Sequence, residues 1–120
     1  MGVREPSQIN AAFAAGYNTR DIDALVALYA PEGSVVERDG SVSVGADAIR
    51  AHLAALVDIG GKMVSTNRST VVIGDTALVT ADWEISVDGA DEPVRGRSAE
   101  VLRVQPDGSW AYLIDQPLSV

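Results

Sequence analysis

Ile9, Phe13 and Tyr17 recur at helical spacing near the start of the chain, with Ala12 and Ala14 beside them. That stripe predicts an amphipathic helix with one face on a core. Pro6-Ser7 predicts its start, with Ser7 as the N-cap, and Asn18-Thr19 breaks the pattern. Ile22, Leu25, Val26, Leu28 and Tyr29 make a second apolar face, which Pro31 stops. Val35-Val36 and Val42–Val44 flank Asp39-Gly40 and predict a short hairpin. A third helix is expected over residues 46–58, with Ile49, Leu53, Leu56 and Val57 on its inner face.

After the flexible joint at Gly60-Gly61 the period changes from helical to two. Strands are expected over 62–73, 76–88, 94–105 and 109–116, with turns at Gly74-Asp75, Asp88-Gly89 and Pro106-Asp107-Gly108. Ala77, Val79, Ala81, Trp83, Ile85 and Val87 share one face of the second of these strands, against Thr80, Asp82, Glu84 and Ser86 on the other. Helices followed by an antiparallel meander define an α+β chain with its helices on one sheet face. Strong twist should curl that sheet around them.

Strict alternation carries the inward direction from strand to strand. With position 73 opposite 76, 83 opposite 98 and 105 opposite 109, the inward set is Arg68, Ser98, Glu100, Leu102, Val104, Trp110, Tyr112, Ile114 and Gln116. Glu100 is then the one acid on an apolar stripe, where desolvation raises a carboxyl pKa toward the range of proton transfer at neutral pH. Arg68 is the nearest expected cation. Asp115 is the rival carboxylate. Parity sends it outward, and a bulge before Pro117 would turn it inward. The bland alternatives are a Glu100–Arg68 ion pair and an Asp115 that caps the chain end or bonds a partner. His52 falls at the edge of the third helix's apolar face, where a half-exposed surface role is expected. Glu84 and Arg97 read as an outward cross-strand pair.

Composition narrows the chemistry. The 120 residues are of single-domain size and 47% hydrophobic, with only 5% aromatic, so aliphatic side chains must build the core. There is no cysteine and only one histidine, which excludes thiolate chemistry, disulfides and Cys- or His-rich metal sites. No cofactor and no metal are expected. The net charge of −8 argues against nucleic acid and anionic membranes as partners. No stretch approaches the roughly 18 apolar residues of a membrane span or reads as a signal peptide, so a cytoplasmic protein is expected.

The segments Asp21-Ile-Asp-Ala-Leu-Val-Ala-Leu-Tyr, Val44-Gly-Ala-Asp-Ala-Ile-Arg, Ile73-Gly-Asp-Thr-Ala-Leu-Val, Arg97-Ser-Ala-Glu-Val-Leu-Arg, Gln105-Pro-Asp-Gly-Ser-Trp and Leu113-Ile-Asp-Gln-Pro follow in this order. Together they resemble the SnoaL-like, ketosteroid-isomerase-like branch of the nuclear transport factor 2 superfamily, near small bacterial proteins related to an enediyne-cluster accessory protein. The resemblance spans nearly the whole chain. It implies a cone-shaped α+β barrel, a homodimer and a pocket between helices and sheet. Its members include isomerases, polyketide cyclases, epoxide hydrolases, dehydratases and non-enzymatic binding or assembly domains. The Asp–Arg–Asp pattern of the epoxide hydrolases is not evident in this chain.

Two functions are therefore expected. One is a cofactor-independent isomerase- or cyclase-like enzyme in which Glu100 or Asp115 moves a proton on a hydrophobic carbonyl or polyketide-like ligand. A tyrosine hydroxyl, Tyr17 in the first instance, or a Trp N–H would hold the oxyanion. Phe13, Tyr29, Leu53, Trp83, Ser98, Tyr112 and Arg68 would line the site. The other is a non-catalytic binding or dimerisation module. A homodimer should form through the outer sheet face, where parity gathers Val71, Ile73, Ala99, Val101, Ala111 and Leu113, with Arg97, Arg103 and Asp115 nearby.

Overall fold

A computed structural model describes residues 2–118. A single 3₁₀ turn at Pro6–Gln8 leads into α1 (Ile9–Asn18), followed by α2 (Ile22–Val26), β1 (Tyr29–Val36), β2 (Val42–Val44) and α3 (Ala46–Val57). The meander follows as β3 (Lys62–Ile73), β4 (Thr76–Ser86), β5 (Val94–Val104) and β6 (Trp110–Gln116). The six strands form one sheet in the order β2-β1-β6-β5-β4-β3. All neighbours are antiparallel except β1 and β6, which run parallel. This is the α+β arrangement, helices packed on one curved sheet, that the helix-then-meander order implies.

Local chemistry explains where the elements depart from expectation. Ser7 is not a cap: it lies within the 3₁₀ turn, and α1 begins after Gln8 without a side-chain cap. α2 is short, capped by Asp21, whose carboxylate accepts the Ala24 N–H at 3.0 Å. Tyr29 leaves the helix and opens β1. Pro31 disfavours helical dihedrals at Ala30, and the Tyr112 N–H takes the Leu28 carbonyl at 2.8 Å, drawing the chain into the sheet. Gly33 makes the β1–β6 approach possible. A Cβ there would lie 2.8 Å from the Ala30 carbonyl and 2.9 Å from that of Tyr112.

The core lies between helices and sheet. Ile9, Leu25, Tyr29, Val35, Ile49, Leu53, Val79, Leu102 and Tyr112 pack as one cluster, with Tyr17, Met63 and Ile85 in a second beside it. Each fully buried aliphatic side chain contributes roughly 1.5–3 kcal/mol of transfer free energy. Opposite Trp83 stands Gly96, and a Cβ on Gly96 would come within 2.3 Å of the indole, so the ring lies across the glycine. The expected partner of position 83 was 98. The observed register differs by two residues, an even step that preserves faces, and the outward pairs become Arg95–Glu84 at 3.3 Å and Arg97–Asp82 at 3.1 Å.

Candidate functional site

Two bulges decide which side chains reach the concave face. In β6 the pairing passes from Leu102↔Tyr112 to Val101↔Ile114, so Leu113 is an extra residue. One extra residue inverts the alternation beyond it. Tyr112 and Asp115 therefore both point inward, although their spacing is odd. Ile114, expected inward, is 42% exposed on the outer face, while Gln116, opposite Ala99, is exposed and also lines the cavity. Asp115, which strict parity placed outward, is 6% exposed and stands directly opposite Glu100, itself 2% exposed. The β3 bulge falls between Asn67 and Ser69. It turns Arg68 out to the Asp82 carboxylate at 3.5 Å, which removes the expected inward cation.

Each acid has its own donor. Asn10 on α1 donates from Nδ2 to Glu100 Oε1 at 2.8 Å, while its Oδ1 accepts the Tyr112 hydroxyl at 2.6 Å. Tyr29 donates to Asp115 Oδ2 at 2.5 Å. The two phenol rings lie 4.8 Å apart, and Phe13 meets Tyr112 edge-on at 6.3 Å. Burial, reinforced by the neighbouring Asp115 charge, pushes Glu100 up to about 7 against the pull of Ser98 and Asn10. Burial pushes Asp115 up to about 6, and the Tyr29 hydrogen bond and the His52 charge pull it back. Both tyrosines are held well above their ordinary value, chiefly by burial and next by the Asp115 charge.

A cavity of about 330 Å³ opens onto this pair. Phe13, Leu56, Met63, Trp83 and Val94 supply apolar wall, and Asn10, Ser98, Glu100, Tyr112 and Asp115 the polar patch. Other expected site residues lie elsewhere. Tyr17 is fully buried with its hydroxyl donating to the carbonyls of Gly60 at 2.7 Å and Leu56 at 3.3 Å, so it ties α1 to the end of α3 and has no donor for the cavity. Leu53 belongs to the core cluster. Tyr29 reaches the site only through Asp115. The Trp83 indole N–H is occupied by the Pro117 carbonyl at 2.8 Å.

Sequence reasoning missed Asn10 and underread His52. Asn10 shares the stripe of Phe13 and Tyr17, and a polar residue on an apolar helical stripe was the available signal. His52 lines the cavity, and its Nδ1 lies 2.9 Å from Glu37 Oε1. Among the described residues no group of three or more His, Asp or Glu side chains is placed to hold a metal ion, and no helix is long and apolar enough to cross a membrane.

Fold and site define an α+β cone domain with a carboxyl-bearing pocket. The sequence model of the SnoaL-like domain matches residues 10–113, and the chain belongs to that family. Among curated proteins none matches it. The solved structures it resembles include a protein described as a calcium/calmodulin-dependent protein kinase type II association domain from Thiobacillus denitrificans. That likeness has a TM-score of 0.81 at 17% identity and covers 99% of both chains. A ketosteroid isomerase-like protein from Erwinia carotovora atroseptica gives 0.76 at 22% identity, over 93% of this chain and 92% of that one. A protein of unknown function with a cystatin-like fold from Nostoc punctiforme gives 0.76 at 16%, over 98% and 94%. At these identities the likeness speaks for the fold.

Proposed function

We propose that this domain binds a small hydrophobic molecule and moves a proton on it without a cofactor, as an isomerase- or cyclase-like enzyme acting on a carbonyl or polyketide-like substrate. The observation that carries this reading is the Glu100–Asp115 pair, directly opposite in register and buried at one cavity wall. With one carboxyl near 7 and the other near 6, the pair at neutral pH offers an ionised Asp115 as base and a protonated Glu100 as acid. A base near its operating pH and an adjacent donor suit proton abstraction beside a carbonyl. Asp115 takes the α-proton, and the Glu100 carboxyl hydrogen-bonds the oxygen on which charge develops. We place the protein in the cytoplasm as a homodimer.

The test is exchange of the α-protons of 2-tetralone, a plain apolar ketone, with deuterated water, followed by proton NMR. Exchange above the buffer rate that disappears in Asp115→Asn supports the enzyme. Buffer-rate exchange by the wild type rejects it. The second reading, a binding module without chemistry, has its own observation. No buried side-chain nitrogen or oxygen among the described residues lacks a partner, the pocket phenol of Tyr112 is committed to Asn10, and Asp115 already accepts the Tyr29 hydroxyl. A site so internally satisfied needs no reacting ligand. Saturable binding of 2-tetralone with no exchange would select it.

A further inference from the structure

His52 is the chain's single histidine and sits on α3, whereas the carboxyl pair sits on β5 and β6. Its side chain is 16% exposed. Nδ1 faces Glu37 Oε1 at 2.9 Å, and the other oxygen of that carboxylate accepts the Ser43 hydroxyl at 2.6 Å. Glu37 thus receives donors on both oxygens. Its carboxyl is held below the usual range, by Ser43 first and by His52 among the lesser causes, against the cost of burial. An ionised carboxylate at Nδ1 accepts a proton and offers none. The neutral imidazole must then carry its hydrogen on Nδ1 and keep the Nε2 lone pair. Nε2 has no hydrogen-bond partner among the described residues, and the ring lines the same cavity as Glu100 and Asp115. A carboxylate that fixes the imidazole tautomer and supports its positive form is the arrangement that makes histidine an effective proton acceptor.

We propose that His52, oriented by Glu37, is a second polar contact in this cavity, and that the ligand is an apolar molecule carrying two separated oxygen functions. One oxygen is served by the Glu100–Asp115 pair. The other is a hydroxyl or enol that donates to His52 Nε2. When that hydroxyl gives up its proton, the proton passes to Nε2, the electron pair stays on the ligand oxygen, and the imidazolium is balanced by Glu37. Glu37 also lines the cavity, and its part here is that of a positioning residue, acting on the ligand through the imidazole it holds. The proposal rests on reading the cavity as the ligand site. It does not require that chemistry occur there.

Two probes and one spectrum test it. Trp83 lines the cavity, so its fluorescence reports binding. The wild type should bind 2,6-dihydroxynaphthalene about tenfold more tightly than 2-naphthol, the equivalent of one added hydrogen bond of about 1.4 kcal/mol. That preference should vanish in His52→Phe and survive in Tyr17→Phe, a variant outside the cavity's polar contacts. Nitrogen-15 long-range spectra of the lone histidine should show the Nδ1–H tautomer in the wild type and loss of its dominance in Glu37→Gln, a variant that keeps ring and fold. Equal affinity for the two probes, a preference that survives His52→Phe, failure of both probes to bind, or an Nε2–H tautomer in the wild type would each overturn the proposal. Absence of 2-tetralone exchange with the probe preference intact removes the enzyme reading and leaves His52 in place. Exchange without the preference does the reverse.

Discussion

Glu100 and Asp115 face each other across β5 and β6 with no ion-pair partner among the described residues, each anchored by a donor from a different element, Asn10 on α1 and Tyr29 on β1. Two acids this close and this buried favour sharing one proton over both ionising, because each added charge is poorly solvated and repels its neighbour. The fold tolerates the pair by supplying neutral donors in place of a salt bridge, which leaves both carboxyls available to change protonation near neutral pH.

The first prediction concerns rate against pH. Exchange of 2-tetralone should be bell-shaped, rising as Asp115 ionises near 6 and falling as Glu100 loses its proton near 7. Glu100→Gln should remove the falling limb and lower the maximum, since an amide donates but cannot protonate. Asp115→Asn should cost on the order of a hundredfold or more. A wild-type-like maximum in Glu100→Gln would strip Glu100 of its role and leave Asp115 alone.

Stability should move with the same two groups. Glu100 is raised from 4.5 to about 7 and Asp115 from 3.8 to about 6. A raised folded-state value means that the neutral form is favoured by folding. This contribution is fully present below about pH 4 and is lost as pH climbs through 6 and 7. For Glu100 the difference between 4.5 and about 7 corresponds to about 3 kcal/mol. Denaturant midpoints should therefore fall between pH 4.5 and 7.5 in the wild type more than in a Glu100→Gln, Asp115→Asn double variant. Parallel curves for the two proteins would contradict the burial argument.

The parts of the fold governed by local pattern were legible in the chain. The period-2 apolar face of β4, from Ala77 to Ile85, and the Asp39-Gly40 hairpin hold because each depends on alternation or turn chemistry within a few residues. The β4–β5 register differed by two residues, and Glu100 still faced inward. The bulges at Leu113 and Arg68 carry no such local mark. Leu113 is displaced where β6 must satisfy β5 on one side and parallel β1 on the other, and Ser34 holds its carbonyl at 3.0 Å. That is a constraint between segments far apart in sequence. Tyr17 illustrates a second limit: periodicity puts its ring in the core, while only the return of α3 shows that its hydroxyl meets the Gly60 carbonyl.

Tyr17→Phe follows from that placement. The variant leaves the Gly60 and Leu56 carbonyls without their hydroxyl donor at a buried joint between α1 and the end of α3. It should cost about 1 kcal/mol of stability and leave probe binding and exchange unchanged. A drop in exchange larger than the loss of folded protein, with unchanged circular dichroism, would return Tyr17 to the site.

The outer sheet face supports the last prediction, a homodimer. Val71, Leu78, Val101 and Ile114 are consecutive partners across β3, β4, β5 and β6, so they form one apolar row across four strands on the convex side. Val71, Leu78 and Ile114 are 51%, 47% and 42% exposed, and Ile73 beside them is 75% exposed. The row differs from the expected set: Leu78 joins it, Ala111 is only 5% exposed, and the β6 bulge puts Ile114 where Leu113 was expected and withdraws Asp115 to the concave side. A contiguous exposed apolar stripe is unusual on a monomer of this size and marks an association surface. A twofold axis across it would cover each row with its twin, and the Arg95–Glu84 and Arg97–Asp82 pairs of the same face would then lie beside the seam. Sedimentation at micromolar concentration should give twice the 12.6 kDa chain mass. Leu78→Asp, an exposed substitution that leaves the concave core untouched, should return the protein to monomer with its circular dichroism unchanged. A wild-type monomer would reject the dimer, and a dimer indifferent to Leu78→Asp would place the contact on another surface.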